Sequence, residues 1–540
     1  MTILEKNIQA LLSGVNEPLG NKLLNFIQNK TCSRFNIDEN LNIYDKTHNV
    51  FMYENLEEEL NFFYQSILEK TPRYPFVCIY GIGNALLIKN LAKHYKHLFV
   101  FESEIELFIL ALSTIDLSEE LCSGKIYLVD IEEERVDIQL LILFDMKDMF
   151  EYLSLYEMFV NNSFYKQFCE KTWCETDEFC KKNIEIVIRD SGLNSNLSFQ
   201  SYFHFLQNIP SMLESIPFQR ILSQRKNKFD NAIVVSAGPS LAKQLPLLKA
   251  CQDKAVIFCA DGALSMLEKK GIVPDYVTNL DFTDLAMKFF QNKENKTSLN
   301  ILSCATHPNV AHSLKAENCM IVLRNKALYQ RFNFNDFGYI DTGTHVSHFS
   351  YTLALALGFK NIIMIGQDLA FDEEGNSHSK GFDFGEKFSG EENIDKLKIP
   401  AYAGKGEVLT HTTWNDYRIK LEYLFACNDQ KAKFYNATEG GARINFTEEL
   451  SFKECCEKLL TKEKPKFELP KSLTKNRSDK LLVKFKEKIQ KDQENAKRFL
   501  DDALALKQIL ENILSKDFIL PLEFLEKVYQ NIENFNHSLD

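Results

Sequence analysis

The chain has 540 residues, of which 45% are hydrophobic and 26% charged, the balance of an ordinary globular protein, and its formal net charge is −12. That acidity excludes a general nucleic-acid binder, whose affinity rests on a basic surface meeting phosphates. At about 100–200 residues per domain the length calls for about three units, each large enough to bury a core.

The opening MTILEKNIQALLSG has no basic stretch followed by an apolar one, and nowhere do 18 apolar residues run together. No membrane insertion is therefore expected, and the expected location is the cytoplasm. The thirteen cysteines stand without C-x-x-C pairs. The group Cys169, Cys174 and Cys180 lacks zinc-ligand spacing and a neighbouring histidine, so reduced thiols and no metal site are expected.

Residues 1–215 read as an N-terminal Rossmann-like α/β domain. Its clearest element is FVCIYGIGNALLIKNL, Phe76 to Leu91: an apolar strand, Gly81 and Gly83, then a helix. A second strand, LFVFESE, brings Glu102 to the spacing at which a nucleotide-binding fold offers a carboxylate to a ribose. The third glycine of that fingerprint is missing, so packing of helix on sheet is the expected role of Gly81 and Gly83.

Residues 216–445 repeat one pattern, a short β-rich apolar run, then small or polar residues, then a helical stretch, which is the rhythm of a parallel sheet. Strands are predicted at 232–236, 255–259, 276–280, 300–304, 319–323, 362–365 and 432–435. The fold class is α/β, with a central doubly wound, mostly parallel sheet flanked by the N-terminal α/β domain and a C-terminal helical domain. In the first repeat, VVSAGPSL, a strand runs into a Gly-Pro turn that opens a helix. Such a turn aims unpaired N–H groups and a positive dipole end at an anion, Gly238 admits a phosphate to the backbone, and Pro239 suits the first helical position.

After Thr447 the character changes, and residues 446–540 form the C-terminal helical domain. A lysine-rich linker with Pro465 and Pro470 precedes a helix predicted from Ser478 to about Leu514, with Leu482, Phe485, Ile489, Phe499, Leu506 and Leu510 on one apolar face.

Ligands of open parallel sheets bind outside the carboxyl ends of the strands, where the strand order reverses. Polar and glycine residues gather at those ends. Ser236, Gly238, Pro239 and Ser240 follow the first strand, Asp261 and Gly262 the second, and Asn279 and Asp281 the third. Thr342, Gly343 and Thr344 precede a helix, Gln367 and Asp368 follow IIMIG, and Asn436 and Glu439 follow the last strand. Each has a bland alternative, since Asp, Asn and Thr also cap helices. Together they suit a nucleotide whose base and ribose meet Asn279, Asp261 and Asp281 while one phosphate sits on the Gly238 turn. A P-loop and a G-x-S-x-G nucleophile elbow are both missing, which argues against P-loop phosphoryl transfer and serine hydrolysis.

The segments VVSAGPSL, ADGALSMLEKKGIVPDYVTNLD, GTHVSHFSYTLALALGFKNIIMIGQDLAF, SHSKG and NATEGGARI, in that order, resemble the motility accessory factor family of flagellin glycosylation proteins. The central domain of that family belongs to the MptE-like group, which includes archaeal hydroxymethylpterin pyrophosphokinases. More distantly, the domain is similar to bacterial sialyltransferases of glycosyltransferase family 42. Gly238, Pro239 and Ser240 match a Gly-Pro-Ser turn of that family, Thr342 and Gly343 approximate its Thr-Ser-Gly turn, and Gly366, Gln367 and Asp368 are similar to its Gly-Ile-Asp strand end. The resemblance implies a metal-independent transfer of a pseudaminic- or legionaminic-type sugar from its CMP-activated form to Ser or Thr of flagellin, with no tightly bound cofactor. By the same resemblance His411, before the helix of THTTWNDYRIKLEYL, takes the place of the sialyltransferase catalytic histidine.

An acceptor hydroxyl needs a base, for which histidine is suited. His411 and His378 of SHSKG are the candidates, His345 has an equal claim to a capping role, and Glu439 beside Gly440 and Gly441 is a further carboxylate. The stretch between Asp368 and His411 reads either as a lid, with Lys380 and Tyr402 as phosphate contacts, or as a solvated loop with no role. Two alternatives stand: pyrophosphoryl transfer from ATP with Mg²⁺ on Asp261, Asp281 or Asp368, and a non-catalytic flagellin-binding assembly factor.

Overall fold

The computed structural model describes residues 2–13, 16–133, 135–191, 195–290, 298–388, 395–404, 406–514, 526–527 and 530. The chain forms two compact units, Met1–Asn194 and Ser195–Asp540.

In the first unit the strands Ile126–Asp130, His97–Glu102, Phe76–Tyr80 and Met158–Val160 lie side by side in that order, all parallel. Their residues are almost entirely apolar because both faces of the sheet are covered. The Gly81 turn is filled by the protein itself. A Cβ on Gly81, whose φ is +94°, would lie 2.3 Å from the Tyr165 ring. The Tyr165 hydroxyl accepts from the Gly83 amide (3.1 Å) and donates to Glu102 (2.5 Å). Glu102, predicted to face a ribose, is fully buried and also accepts from the amides of Ile82, Ser103 and Glu104. A tyrosine phenol thus stands where the fingerprint would put a ligand.

The second unit opens with helix α1 (Ser195–Glu214), which sequence reading placed on the N-terminal side of a boundary at 215. Its nine-stranded sheet is built from β1 (Asn231–Val235), β2 (Val256–Ala260), β3 (Tyr276–Asn279), β4 (Leu299–Ser303), β5 (Cys319–Arg324), β6 (Tyr339–Ile340), β7 (Asn361–Ile365), β8 (Lys433–Asn436) and β9 (Glu448–Glu449). The order is β6-β5-β4-β3-β2-β1-β7-β8-β9 and every pairing is parallel. Successive strand residues point to opposite faces. Ile233, Val235, Ile257, Val277, Ile363 and Ile365 enter one core with α1, α2 (Leu241–Cys251), α5 (Phe452–Leu459) and the start of α6 (Lys475–Leu514). Ala232, Val234, Phe258, Ile301, Ile362 and Met364 enter the other with α3 (Val346–Ala356) and α4 (Thr412–Ala426). Helices on both faces make this a doubly wound sheet.

All seven predicted strands are present, each end within one residue. The edge strands β6 and β9 and the antiparallel hairpin Lys396–Pro400/Glu407–His411 were not predicted. Two-residue edge strands carry no periodicity to read, and the hairpin falls in a segment rich in glycine and charge. Leu482 and Phe485 of α6 pack on the α1 side of the core, where Phe485 meets Phe205, Phe332 and Phe334. Among the described residues no helix is long and apolar enough to cross a membrane.

Because Phe205 is fully buried where α1 meets α6, Phe205→Ala is expected to destabilise the second unit by about 3–5 kcal/mol. Denaturant titration of the full chain checks this, and a loss under 1 kcal/mol contradicts the placement of α1.

Candidate functional site

The strand order reverses between β1 and β7: from β1 the chain runs outward through β2 to β6, then returns to the other side of β1 as β7 and continues to β8. At this switch point three turns meet at one residue, Asp368. Asp368, after β7, accepts from the Ser240 hydroxyl (2.8 Å) and amide (3.2 and 3.3 Å) at the start of α2. Its carbonyl accepts from Ala442 after β8 (2.8 Å). Glycines make this approach possible. A Cβ on Gly238 would lie 2.1 Å from Asp368 Oδ2 and 2.6 Å from the Gly366 carbonyl, and one on Gly441 would lie 2.3 Å from the Asp368 carbonyl.

The anion expected on the Gly238 turn therefore has its place taken. The Gly238 amide donates to Gly366, Ser240 to Asp368, Leu241 to Gly238 and Ala242 to the Ser379 hydroxyl. Gly238 is required by the chain's own carboxylate, the close approach the sequence assigned to a phosphate. Burial pushes the Asp368 carboxyl up to about 6, against the opposing Ser240 hydrogen bonds and the Lys243 charge.

Beside this lock lies a cavity of about 220 Å³. Of the predicted residues, Ser236, Gly238, Asp261, Gly262, Gln367, Asp368 and His378 line it. Ser236 Oγ donates to Gln367 Oε1 (2.8 Å) and is 2.7 Å from Ser347 Oγ, while Tyr351 donates to the same Gln367 oxygen (3.3 Å). Asp261 accepts from its neighbour Gly262 (2.7 Å) and from Asn279 Nδ2. The lining also includes the aromatic side chains Trp414 and Tyr417, from the first turns of α4, with Phe289 and Phe382. Among the described residues no Lys or Arg lines it.

The three histidines are sorted by which ring nitrogen is already used. His345 caps α3 and His411 caps α4, each with Nδ1 accepting a backbone amide, from His348 and Trp414 respectively, at 3.3 Å. In a neutral ring the proton is then on Nε2, which in both residues is buried without a partner. Neither can act as a base while it caps. His411 packs its ring on Trp414, 4.0 Å away and tilted by 34°, and is not among the residues that line the cavity. His378 is the opposite case. Its Nδ1 lies 3.0 Å from Ser377 Oγ, whose one proton goes to the carbonyl of Glu386 or Phe388, so the ring donates from Nδ1 and keeps its lone pair on Nε2. The ring stacks on Phe382 at 4.0 Å and 8°. Burial pulls both His378, with the Phe388 carbonyl opposing, and His411, with Lys396 assisting, down to about 4.

The other predicted residues lie off the cavity wall, most of them with structural partners. Pro239 and Ser240 stand behind Asp368 in the turn just described. Asn279 is buried against Asp261, and Asp281 accepts from Thr283 (2.8 Å). Thr342 is buried, the Gly343 amide donates to Asp341 (3.0 Å), and Thr344 Oγ1 is buried without a partner. Asn436 accepts from the Thr438 amide (3.2 Å). Glu439, expected over the rim, is exposed and caps α5 by accepting from Phe452 (3.3 Å). Lys380 is exposed and Tyr402 donates to the Leu450 carbonyl (3.1 Å). Part of the expected lid, residues 389–394 and 405, lies outside the described residues.

Sequence reading missed Ser347, Ser377 and the aromatic lining. Trp414 and Tyr417, three apart at the start of a predicted helix, share one face, a signal that was available. For the Mg²⁺ alternative, the Asp261 and Asp368 carboxylates are engaged as above and Asp281 is off the wall. Among the described residues no three His, Cys, Asp or Glu side chains converge as metal ligands.

Residues 203–374 match the model of a family described as 6-hydroxymethylpterin diphosphokinase, MptE-like. The match spans about a third of the chain and includes β1–β7. Among solved structures, the chain is similar to the MAf glycosyltransferase of Magnetospirillum magneticum, at 16% identity over 96% of this chain and 87% of that one, with a TM-score of 0.47. No curated protein matches.

Gly238→Ala is expected to destabilise the chain by about 1–3 kcal/mol, because the new methyl meets the Gly366 carbonyl, a backbone atom that cannot swing aside. Chemical denaturation reads this directly. For His411, held at about 4 in the fold against about 6.5 unfolded, the unfolded chain binds more protons between those values. Its contribution to stability is present above pH 6.5 and lost as the pH falls toward 4. His411→Asn keeps a capping oxygen and removes the titration, so melting temperature is expected to fall less steeply between pH 6.5 and 4 than in the wild type.

Proposed function

We propose that the chain is a glycosyltransferase that moves a nonulosonic acid of the pseudaminic or legionaminic type from its CMP-activated form to Ser or Thr hydroxyls of flagellin. The observation that carries this reading is the switch-point cavity itself, lined by hydroxyl, amide and carboxylate groups, by aromatic side chains and by His378. Hydrogen bonding suits a ribose and a polyhydroxylated sugar, and the aromatic faces suit their apolar sides. The order of motifs shared with the motility accessory factors supports the acceptor.

In the proposed reaction the bond between the anomeric carbon and the phosphate oxygen breaks and CMP takes the electron pair. The acceptor oxygen bonds to that carbon, and its proton passes to His378 Nε2. Charge builds on the phosphate as the sugar becomes oxocarbenium-like, so donors fixed around the phosphate lower the barrier. Their identity differs from the sequence expectation, because the amides of the α2 turn are in use.

The MptE-like family match favours a second reading, diphosphate transfer from ATP to a hydroxymethylpterin. A polyphosphate needs cations, and among the described residues no Lys or Arg lines the cavity, so the first reading is preferred.

The test is to incubate the protein with flagellin and CMP-pseudaminic or CMP-legionaminic acid, with and without EDTA, and weigh the flagellin. Mass addition of one sugar residue is expected, and turnover by His378→Ala is expected to be lower by about 10²–10⁴-fold. Pterin diphosphate formed only with ATP and Mg²⁺ would establish the second reading. Flagellin bound but unmodified would leave an assembly factor.

A further inference from the structure

Strands β1 and β7 are paired, and a bond from the Ser236 amide to the Ile365 carbonyl (3.0 Å) carries that pairing to the edge of the cavity. Two residues on, Gln367 lines the cavity with only 4% of its surface exposed. Its Oε1 accepts from Ser236 Oγ (2.8 Å) and from the Tyr351 hydroxyl (3.3 Å). Tyr351 is fully buried and its hydroxyl has no other acceptor among the described residues. This sets the amide with its oxygen toward the tyrosine. Because Ser236 gives its proton to Gln367, the 2.7 Å contact between Ser236 and Ser347 is a bond donated by Ser347. Three hydroxyl protons therefore run toward one amide oxygen, two directly and one through Ser236, and both lone pairs of that oxygen are filled.

The amide nitrogen is left over. Among the described residues Nε2 has no acceptor, and it is not one of the partnerless atoms sealed in the interior. The open side of this otherwise buried side chain is the cavity it lines. Two N–H groups, held in place by the bonds on Oε1, are thus offered there. The arrangement sorts ligand groups by what they bring. A ligand hydroxyl that accepts from Nε2 must still place its own proton, and Oε1 is already filled. An oxygen that carries no proton asks for nothing in return.

We propose that Gln367 is a ligand-binding residue whose Nε2–H₂ donates to an unprotonated oxygen, of the carbonyl, phosphate or carboxylate kind, on the molecule held in the switch-point cavity. This rests on the reading above, that the cavity takes a nucleoside monophosphate bearing an acidic sugar. The cytosine carbonyl, the phosphate and the sugar carboxylate of such a molecule all belong to this class. A ligand that fills the cavity displaces water from the amide. One without such an oxygen at this point leaves buried N–H groups unpaired and binds more weakly.

Two substitutions separate this role from packing. Gln367→Glu keeps an oxygen for both hydroxyls and exchanges the N–H₂ for a second oxygen, whereas Gln367→Met keeps the length and removes every hydrogen bond. Calorimetry on the full chain with CMP, cytidine and free N-acetylneuraminic acid is paired with ¹H–¹⁵N spectra of the glutamine side-chain amides. Expected are about tenfold weaker binding of at least one probe in both variants and movement of the Gln367 side-chain signal of the wild type with that probe. Weakening with cytidine and CMP alike identifies the base carbonyl, with CMP but not cytidine the phosphate, and with the free sugar the carboxylate. The spectra are read on the wild type, so they decide the matter even where a variant fails to fold.

A Gln367 signal that stays in place at saturation with every probe that binds overturns this inference and leaves the cavity reading standing, and so does unchanged affinity for all of them in Gln367→Glu. Failure of the wild type to bind any of the three probes overturns the cavity reading and this inference with it.

Discussion

The second unit depends on one buried carboxylate. Asp368 joins the turns after β1, β7 and β8, and Gly238, Gly366 and Gly441 each stand where a side chain would break that junction. Gln244 on α2 adds a parallel tie, accepting from the Gly366 amide and donating to the carbonyls after β8. The start of a helix in this fold class ordinarily receives an anion from outside. Here the chain supplies its own, and its desolvation is offset only in part by the bonds from Ser240, which is why its carboxyl sits near 6. With the first crossover helix anchored this way, the walls of the neighbouring cavity hold their positions while the ligand contacts fall to other groups.

Among those groups the histidines are distinguished by their hydrogen bonds more than by their place in the sequence. His345 and His411 do the same local work, capping a helix with Nδ1, and so each offers a proton on Nε2. His378, fed by a serine whose own proton goes to a carbonyl, offers a lone pair. All three are neutral at physiological pH because each is buried.

The sheet was legible because its strands, covered on both faces, are apolar runs broken by turn residues, and the same feature revealed the strand ends where the cavity lies. Individual roles were less legible. Gly238 and Pro239 do open a helix, but sequence has no means of telling that the anion at that helix is Asp368, more than a hundred positions away. Glu439 was read as a ligand group from the glycines beside it, and those glycines instead admit Asp368 while Glu439 turns to cap α5. His411 was identified by resemblance, and capping alone explains a histidine before a helix. In each case a long-range partner decided between capping and binding, and spacing along the chain does not carry that information.

What the wall lacks constrains the ligand as much as what it holds. Each phosphate of a polyphosphate needs a compensating cation in a site where water is thin, and histidines kept neutral by burial cannot provide one. A nucleoside monophosphate ester carries a single negative charge on its phosphate, within the reach of a neutral N–H and a helix dipole. When the ester bond breaks, the departing phosphate gains charge, and a donor that is already desolvated and oriented responds without reorganising. A neutral buried donor therefore favours the separating state over the bound one, since its hydrogen bond strengthens as the acceptor becomes more negative.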